Sequence, residues 1–265
     1  MKNIDECVSR LTEAGIRRHL PDSLSGFEIT VYDVTDSTNL RAKEAAEEDD
    51  PRDSAFIADS QTAGRGRLDR RFFSPAGVGL YLSILRTKHS DAQTGLRVTA
   101  ISAVAVCRAI ESLTGAKPKI KWVNDVYLGE KKLCGILTQG ALDEQGDMKY
   151  TISGIGINLY HFDMPREISD VATTLEDETG LRISREELCA RIISEYCALS
   201  DWDFSAVCEQ YENRSLLIGR TVKVYGAGEP YTARVLGIDG ECALLVEKDG
   251  KTVVLSSGEV SIRDF

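Results

Sequence analysis

One short segment carries the densest group of side chains in this sequence that could bind an anion. Four arginines occupy seven positions of a chain whose formal net charge is −10. They are Arg65, Arg67, Arg70 and Arg71. Gly64 and Gly66 are interspersed, and glycine lets a backbone approach a ligand closely. Because a guanidinium binds carboxylate or phosphate through two parallel hydrogen bonds, residues 64–71 predict a mobile anion-binding loop, called here the arginine loop. Taken alone, the segment also fits a solvated turn.

Two further groups of polar residues have the same character. Asp36, Ser37, Thr38 and Asn39 precede a run of strong helix formers, and one capping residue would suffice there. The spare polar side chains favour a ligand at the helix N-terminus, although a plain cap is the simpler alternative. The third group comprises Lys121, Trp122, Asn124, Asp125 and Lys132. Individually, a tryptophan is more often a core residue and an aspartate after asparagine more often forms a turn.

The surrounding patterns predict an α+β fold. Alternating or continuous apolar residues predict strands at 28–32, 55–58, 78–85, 119–128, 131–138 and 150–159. Asn124-Asp125 is expected to break the pairing of the strand at 119–128. Apolar residues at helical spacing predict helices at 3–20, 92–114, from the Ser184 capping box onward, and at 203–212. Gly154 and Gly156 fall inside a strand, which indicates close approach of another group. Antiparallel hairpins beside long helices are typical of the α+β class, and the arginine loop then lies between two buried strands.

The pattern changes near residue 215. Short strands at 220–225, 231–236, 243–247 and 252–255 are separated by glycine and aspartate turns. This spacing is typical of a small β-barrel. The sequence therefore predicts two domains, residues 1–214 and residues 215–265.

Composition limits the classes of function. Hydrophobic residues make up 42% and charged residues 28% of the chain, as in ordinary globular proteins. The acidic balance argues against general binding to DNA or to a membrane surface. Seven cysteines without a CxxC motif indicate a reducing compartment, and three widely spaced histidines predict no metal site. The N-terminus lacks a signal peptide and no run is long enough to span a membrane, so we expect a cytoplasmic protein.

Taken together, the motifs resemble the bacterial biotin protein ligases, of the monofunctional type that lacks an N-terminal DNA-binding domain. The matching segments are DSTN (36–39), SQTAGRGR (60–67), FFSP (72–75), KW-ND (121–125), KLCGIL (132–137) and GIGINL (154–159). The resemblance implies a catalytic domain of the class II aminoacyl-tRNA-synthetase-like, biotin–lipoyl ligase type. Its sheet would be mixed but mostly antiparallel, and an SH3-like barrel would follow.

The resemblance also implies an activity. Such ligases join biotin and ATP, with Mg²⁺, into biotinyl-5′-adenylate, and they pass biotin to one lysine of a biotin carboxyl carrier protein, as in acetyl-CoA carboxylase. It implies no DNA partner, because residues 1–27 are too few for a winged-helix domain, and it allows a homodimer. Two alternatives remain: a lipoate or octanoate ligase or transferase of the same fold, and a non-catalytic biotin-responsive regulator. The GRGR and KW-ND motifs favour biotin.

By this resemblance we assign residue roles. Catalysis is assigned to Lys132, Arg67 and Asp125. Biotin binding is assigned to Ser37, Thr38, Asn39, Gln61, Arg65, Gly66, Arg67, Lys132 and Gly135. ATP binding is assigned to Arg67, Arg70, Lys121, Trp122, Asn124 and Asn158, with no protein-bound metal. The chain departs from the family pattern at Leu68 and Asp69, which replace Arg-Gly, and at Phe72, which replaces tryptophan. We hypothesise that the arginine loop consequently holds the adenylate less tightly or closes more slowly.

Overall fold

A computed structural model describes residues 10–68, 70–87, 95–226 and 228–262. The helices are α1 Glu13–Arg17, α2 Thr38–Ala46, α3 Gly95–Thr114, α4 Arg166–Ser169, α5 Leu175–Thr179, α6 Arg185–Ser200 and α7 Phe204–Asn213, with a 3₁₀ helix at Asp22–Leu24. The strands are β1 Glu28–Thr35, β2 Ser54–Gln61, β3 Gly79–Arg86, β4 Lys119–Lys121, β5 Asp125–Leu128, β6 Lys131–Leu142, β7 Met148–Asn158, β8 Thr221–Tyr225, β9 Tyr231–Ile238, β10 Leu244–Lys248, β11 Lys251–Leu255 and β12 Glu259–Ser261.

The larger sheet confirms the α+β prediction. Its seven strands run in the order β1-β2-β3-β7-β6-β5-β4. Only β1 and β2 pair in parallel, and every other neighbouring pair is antiparallel. The helices α3 and α6 pack together and cover one face, while α2 packs on the opposite face against β2, β3 and β7. Strand β3 is therefore buried on both faces, as its continuous apolar run predicts.

The helix predictions hold in the described residues except near the N-terminus. The apolar helix predicted for 92–114 is α3, and it ends at Gly115, whose φ is +73°. Residues 92–94 and 1–9 lie outside the described residues, so the predicted helix at 3–20 can be compared only from residue 10. There it is one short helix, α1, because the prediction overlooked Thr12, which caps α1 by accepting a hydrogen bond from the Gly15 amide. None of the helices in the described residues has the length and apolarity required to cross a membrane.

One strand prediction is only partly right, because the break expected at Asn124-Asp125 is a complete reversal of the chain. Residues 119–128 form not one strand but a tight hairpin, in which β4 pairs with β5 and Trp122–Asn124 form the connection. The reason is Asn124, which turns toward β6: its carbonyl accepts from the Ile136 amide, and its Nδ2 donates to the Ile136 carbonyl. The hairpin places Lys121, Trp122, Asn124 and Asp125 together at its tip.

The C-terminal region is a five-stranded antiparallel sheet in the order β11-β10-β9-β8-β12. Four of these strands match the predicted ones. Strand β12 was missed because it is only three residues long, and it follows Gly258, whose φ of +121° suits glycine. Val222, Val235 and Leu244 of this sheet belong to the same buried cluster as the core of the larger sheet. The two sheets therefore share one continuous hydrophobic core.

Candidate active site

A single pocket collects nearly all of the residues predicted to bind a ligand. It lies between the arginine loop, the start of α2, the β4–β5 hairpin and strands β6 and β7, and it encloses about 980 Å³ of empty space including its open mouth. The predicted residues that line it are Ser37, Thr38, Asn39, Gln61, Arg65, Gly66, Arg67, Arg70, Lys121, Trp122, Asn124, Asp125, Lys132 and Gly135. Residues from five separate chain segments thus converge on one cavity.

One end of the pocket is polar but uncharged. Gln61 Oε1 accepts hydrogen bonds from the Thr38 amide (2.9 Å) and the Thr38 hydroxyl (3.2 Å), and Gln61 Nε2 donates to Ser74 Oγ (3.0 Å). Ser83 Oγ lies 2.7 Å from both Thr38 Oγ1 and Asn39 Oδ1. These contacts orient amide and hydroxyl groups before a ligand arrives. They suit a neutral ligand that carries both donors and acceptors.

The start of α2 differs from an ordinary capped helix. Ser37 occupies the N-cap position, yet within the described residues its hydroxyl makes no capping hydrogen bond. Asp36 instead accepts from the Ser37 amide (2.6 Å) and from Arg41 (3.0 Å). Burial raises the pKa of Asp36, but these two partners, together with the Thr35 hydroxyl, outweigh that effect and the pKa lies below its usual value. The Ser37 side chain is therefore left for the pocket, as the surplus of capping residues predicts.

Glycines form the floor of the pocket. Gly135 and Gly156 are cross-strand neighbours on β6 and β7, and both line the cavity. A Cβ atom on Gly156 would lie 2.5 Å from the Phe72 ring, and a Cβ atom on Gly154 would overlap the Asn39 side chain. Only glycine therefore permits Phe72 and Asn39 to reach their positions. This explains why glycine interrupts an otherwise apolar strand.

The opposite end of the pocket is cationic. Lys132 Nζ forms an ion pair with Asp125 Oδ1 at 2.7 Å, and both side chains are partly buried. The Lys132 backbone is held on both sides, since its amide donates to the Val171 carbonyl and its carbonyl accepts from the Thr173 amide. Asp125 thus fixes the direction of a lysine whose main chain is already anchored.

The arginine loop is closed over this end and contacts the C-terminal sheet. Arg67 Nη1 donates to Asn124 Oδ1 (3.1 Å) and Arg67 Nη2 donates to the Gly258 carbonyl (2.9 Å). Arg70 forms two hydrogen bonds with the Glu259 carboxylate, at 3.0 and 2.8 Å. Strand β12 therefore completes the pocket wall, with Glu259 and Val260 among the lining residues.

Two predicted residues have additional or different contacts. Asn158 does not line the pocket; its Nδ2 donates to the Thr173 carbonyl at 3.2 Å, which steadies the segment beside Lys132. This geometry therefore favours a supporting role for Asn158 over direct contact with a ligand in the pocket. Trp122 lines the pocket but is only 3% exposed, because it packs in the shared hydrophobic core; its indole N–H donates to the Cys242 carbonyl in the turn between β9 and β10.

Comparison with known proteins agrees with this geometry. The family model described as "Biotin/lipoate A/B protein ligase family" matches residues 31–158, and the one described as "Biotin protein ligase C terminal domain" matches residues 217–263. The bifunctional ligase/repressor BirA of Bacillus subtilis is 31% identical over 259 residues, which cover 96% of this chain and 79% of that protein. The chain belongs to the biotin protein ligase family.

Other members of the biotin protein ligase family align with this chain over a larger share of their own length. The biotin–[acetyl-CoA-carboxylase] ligase of Mycobacterium tuberculosis is 30% identical, with 98% of each chain aligned. The biotin protein ligase of Aquifex aeolicus, solved in complex with biotin and ATP, superposes with a TM-score of 0.75 at 30% identity. That match covers 88% of this chain and 97% of the other. The fold and the ligase family thus rest on relatives aligned along most of their length.

Several pocket residues of this ligase escaped the sequence assignment. They are Leu68, Arg71, Phe72, Ile136, Leu137, Gly154, Ile155, Gly156, Glu259 and Val260. The strand glycines carried a usable signal, because interior glycine indicates close approach. Glu259 carried none, since it lies in a different sheet and far along the chain from the arginine loop.

We predict that Glu259→Gln raises the ATP KM of the ligase about 2- to 5-fold at low ionic strength. The substitution keeps the shape of the side chain but removes the ion pair that docks Arg70. Steady-state kinetics at low and high salt would measure the effect, which salt screening should diminish. Glu247→Gln, on the exposed face of β10, is the matched control. An ATP KM that does not change at low salt contradicts the docking role.

Proposed function

We propose that this ligase condenses biotin with ATP to biotinyl-5′-adenylate and then transfers biotin to a lysine of a biotin carboxyl carrier protein. One observation supports the proposal most directly: a single pocket has an uncharged hydrogen-bonding end and a cationic end, joined by a glycine floor. Biotin has a neutral ureido ring at one end and a carboxylate at the other, so its two ends match the two ends of the pocket.

We infer that the ureido ring occupies the end formed by Ser37, Thr38, Asn39 and Gln61. The ring offers two N–H donors and one carbonyl acceptor, and these side chains supply complementary amide and hydroxyl groups. The aliphatic part of biotin would then run over the glycine floor beneath Phe72. This direction points the carboxylate toward Lys132.

For the first step, the carboxylate of biotin attacks the α-phosphorus of ATP, and pyrophosphate leaves. Two anions must approach each other, so cations are needed to offset their repulsion and the charge that develops in the transition state. We assign this role to Lys132 and Arg67, with Arg70 and Lys121 near the leaving phosphates. Both carboxylates named in the pocket, Asp125 and Glu259, already pair with cations. The residues therefore fit Mg²⁺ that enters bound to ATP better than a metal held by the protein.

For the second step, the amine of the carrier lysine attacks the mixed anhydride and AMP leaves. Lys132 would stabilise the charge on the departing adenylate, and Asp125 would keep Lys132 in position through their 2.7 Å ion pair.

We further propose that the catalytic unit comprises residues 1–214 and the C-terminal unit residues 215–265. The start of β8 at Thr221 and the family match to 217–263 support this division.

The decisive experiment is exchange of radiolabelled pyrophosphate into ATP, measured with biotin, lipoate or octanoate as the acid. We expect exchange that depends on biotin, followed by transfer of biotin to an acceptor domain of biotin carboxyl carrier protein when that domain is added. Exchange that depends on lipoate or octanoate would favour the alternative that the family description also covers. Binding of biotin without any exchange would identify a non-catalytic biotin-binding protein instead.

We predict that Gln61→Ala weakens biotin binding about 10-fold or more while changing ATP binding less than about 2-fold. The substitution removes the acceptor of two Thr38 hydrogen bonds and leaves polar groups unpaired, which typically costs more than 1 kcal/mol. Isothermal titration with each substrate measures both affinities, and Gln145→Ala, in an exposed turn, is the control. Equal losses for biotin and ATP contradict the assignment of this end of the pocket.

A further inference from the structure

Two cysteines meet at the junction between helix α7 and the C-terminal sheet. Cys208 lies on α7, and Cys242 lies in the turn between β9 and β10. Both are free and buried, and their Sγ atoms are 3.0 Å apart. We propose that Cys208 and Cys242 are a disulfide-forming pair, oxidised by peroxides, that fastens the C-terminal sheet to α7. This inference does not depend on which acid the ligase activates.

Both thiols are held in place by the elements that carry them. Asp239 closes the turn, because its Oδ1 accepts from the amides of Glu241 (2.9 Å) and Ala243 (2.8 Å), and its carbonyl accepts from the Cys242 amide. Cys208 Sγ also donates to the Gly240 carbonyl at 3.2 Å. The sulfurs need to approach by only about 1 Å more to reach the bonding distance of about 2.05 Å.

The same turn attaches the C-terminal sheet to the rest of the chain. Glu241 forms two hydrogen bonds with Arg97 of α3, at 2.7 and 2.6 Å, and the Cys242 carbonyl accepts from the Trp122 indole at 3.1 Å. Trp122 lines the active-site pocket. A covalent bond here would therefore reinforce the attachment of the sheet that presents Gly258 and Glu259 to the arginine loop.

The oxidation balances with hydrogen peroxide as the oxidant. The Cys208 sulfur attacks one peroxide oxygen and breaks the O–O bond, which gives a sulfenic acid and water. The Cys242 sulfur then attacks the sulfenic sulfur, forms the S–S bond and displaces a second water. Two electrons pass from the sulfurs to the peroxide in total. Cys208 is 7% exposed whereas Cys242 is fully buried, so Cys208 is the thiol that meets the oxidant.

Burial slows the oxidation of the two thiols, whereas the cross-link, once formed, stabilises the folded chain. Burial raises the pKa of both the Cys208 and the Cys242 thiols, which lowers the thiolate fraction at neutral pH. The reaction is therefore expected to need sustained exposure to peroxide. Once formed, the bond closes a loop between two otherwise separate elements, and such cross-links stabilise chiefly by restricting the unfolded chain.

The test uses the full chain, first reduced and then exposed to hydrogen peroxide. Peptide mapping by mass spectrometry without reductant should identify one linked pair of peptides, containing Cys208 and Cys242, that separates on reduction. The oxidised chain should melt about 5 °C or more above the reduced chain. Cys208→Ala should keep ligase activity, form no such link and show no shift in melting temperature after oxidation.

Matched variants distinguish this bond from general oxidation. Cys197→Ala should leave both the link and the shift in melting temperature intact. Cys242→Ser tests the second thiol. If Cys242→Ser fails to fold, Cys208→Ala alone tests whether the link requires this pair of cysteines. The proposal is overturned if peroxide converts both thiols to sulfinic acids without a link, if the link joins other cysteines, or if Cys208→Ala shows the same shift in melting temperature as the parent chain.

Discussion

Lys132→Ala should lower kcat/KM for biotin-dependent pyrophosphate exchange at least about 100-fold, the typical effect of removing one preorganised group that stabilises developing charge. Lys132 is anchored through its main chain by Val171 and Thr173 and aimed by Asp125 at 2.7 Å. Pyrophosphate exchange and single-turnover formation of the adenylate would both measure the loss.

The adjacent Lys131 provides the matched control for Lys132. It has the same side chain, but it is exposed and its Nζ donates to the Ser169 carbonyl, away from the pocket. Lys131→Ala should therefore keep nearly normal turnover. Because Lys132→Ala leaves Asp125 without its cation, thermal unfolding and the double variant with Asp125→Asn separate lost stability from lost chemistry. A folded Lys132→Ala enzyme with near-normal exchange would contradict the assigned role.

Arg67→Ala should reduce the same kcat/KM about 100-fold or more, with a larger ATP KM. This substitution removes a cation from the pocket together with the two hydrogen bonds that Arg67 makes across it, those to Asn124 and to the Gly258 carbonyl. The loop then loses its side-chain bond to the β4–β5 hairpin and its bond to Gly258, while the Arg70–Glu259 ion pair still ties it to β12. Kinetics at varied ATP concentration would show whether binding and turnover both fall.

Two variants test the specificity of the Arg67 effect. Arg67→Lys keeps the charge but cannot bridge both partners, so we expect it to recover only part of the activity. Arg71→Ala changes an exposed arginine of the same loop whose guanidinium donates to the Thr62 carbonyl, and we expect a much smaller loss. Equal losses for Arg67→Ala and Arg71→Ala would mean that total loop charge, and not the two contacts of Arg67, governs activity.

Local patterns were sufficient for much of the fold and of the site. The α3 helix, the buried β3 strand and the strands β6 and β7 follow from apolar periodicity, which acts over a few neighbouring residues. The surplus of capping residues at 36–39 and the glycines of β7 also indicated two segments that line the pocket. Spare polar side chains and interior glycines are visible in the linear sequence, although the groups that approach the two glycines, Phe72 and Asn39, come from distant segments.

By itself, then, the sequence determined the α+β class, and the family motifs it carries identified most of the residues that line the pocket. Only the tertiary structure decided three other points. It divided residues 119–128 into a hairpin, turned Asn158 toward Thr173 and brought Gly258 and Glu259 to the arginine loop. Each of these depends on which distant elements pack together, and that is a property of the whole core which no local spacing encodes.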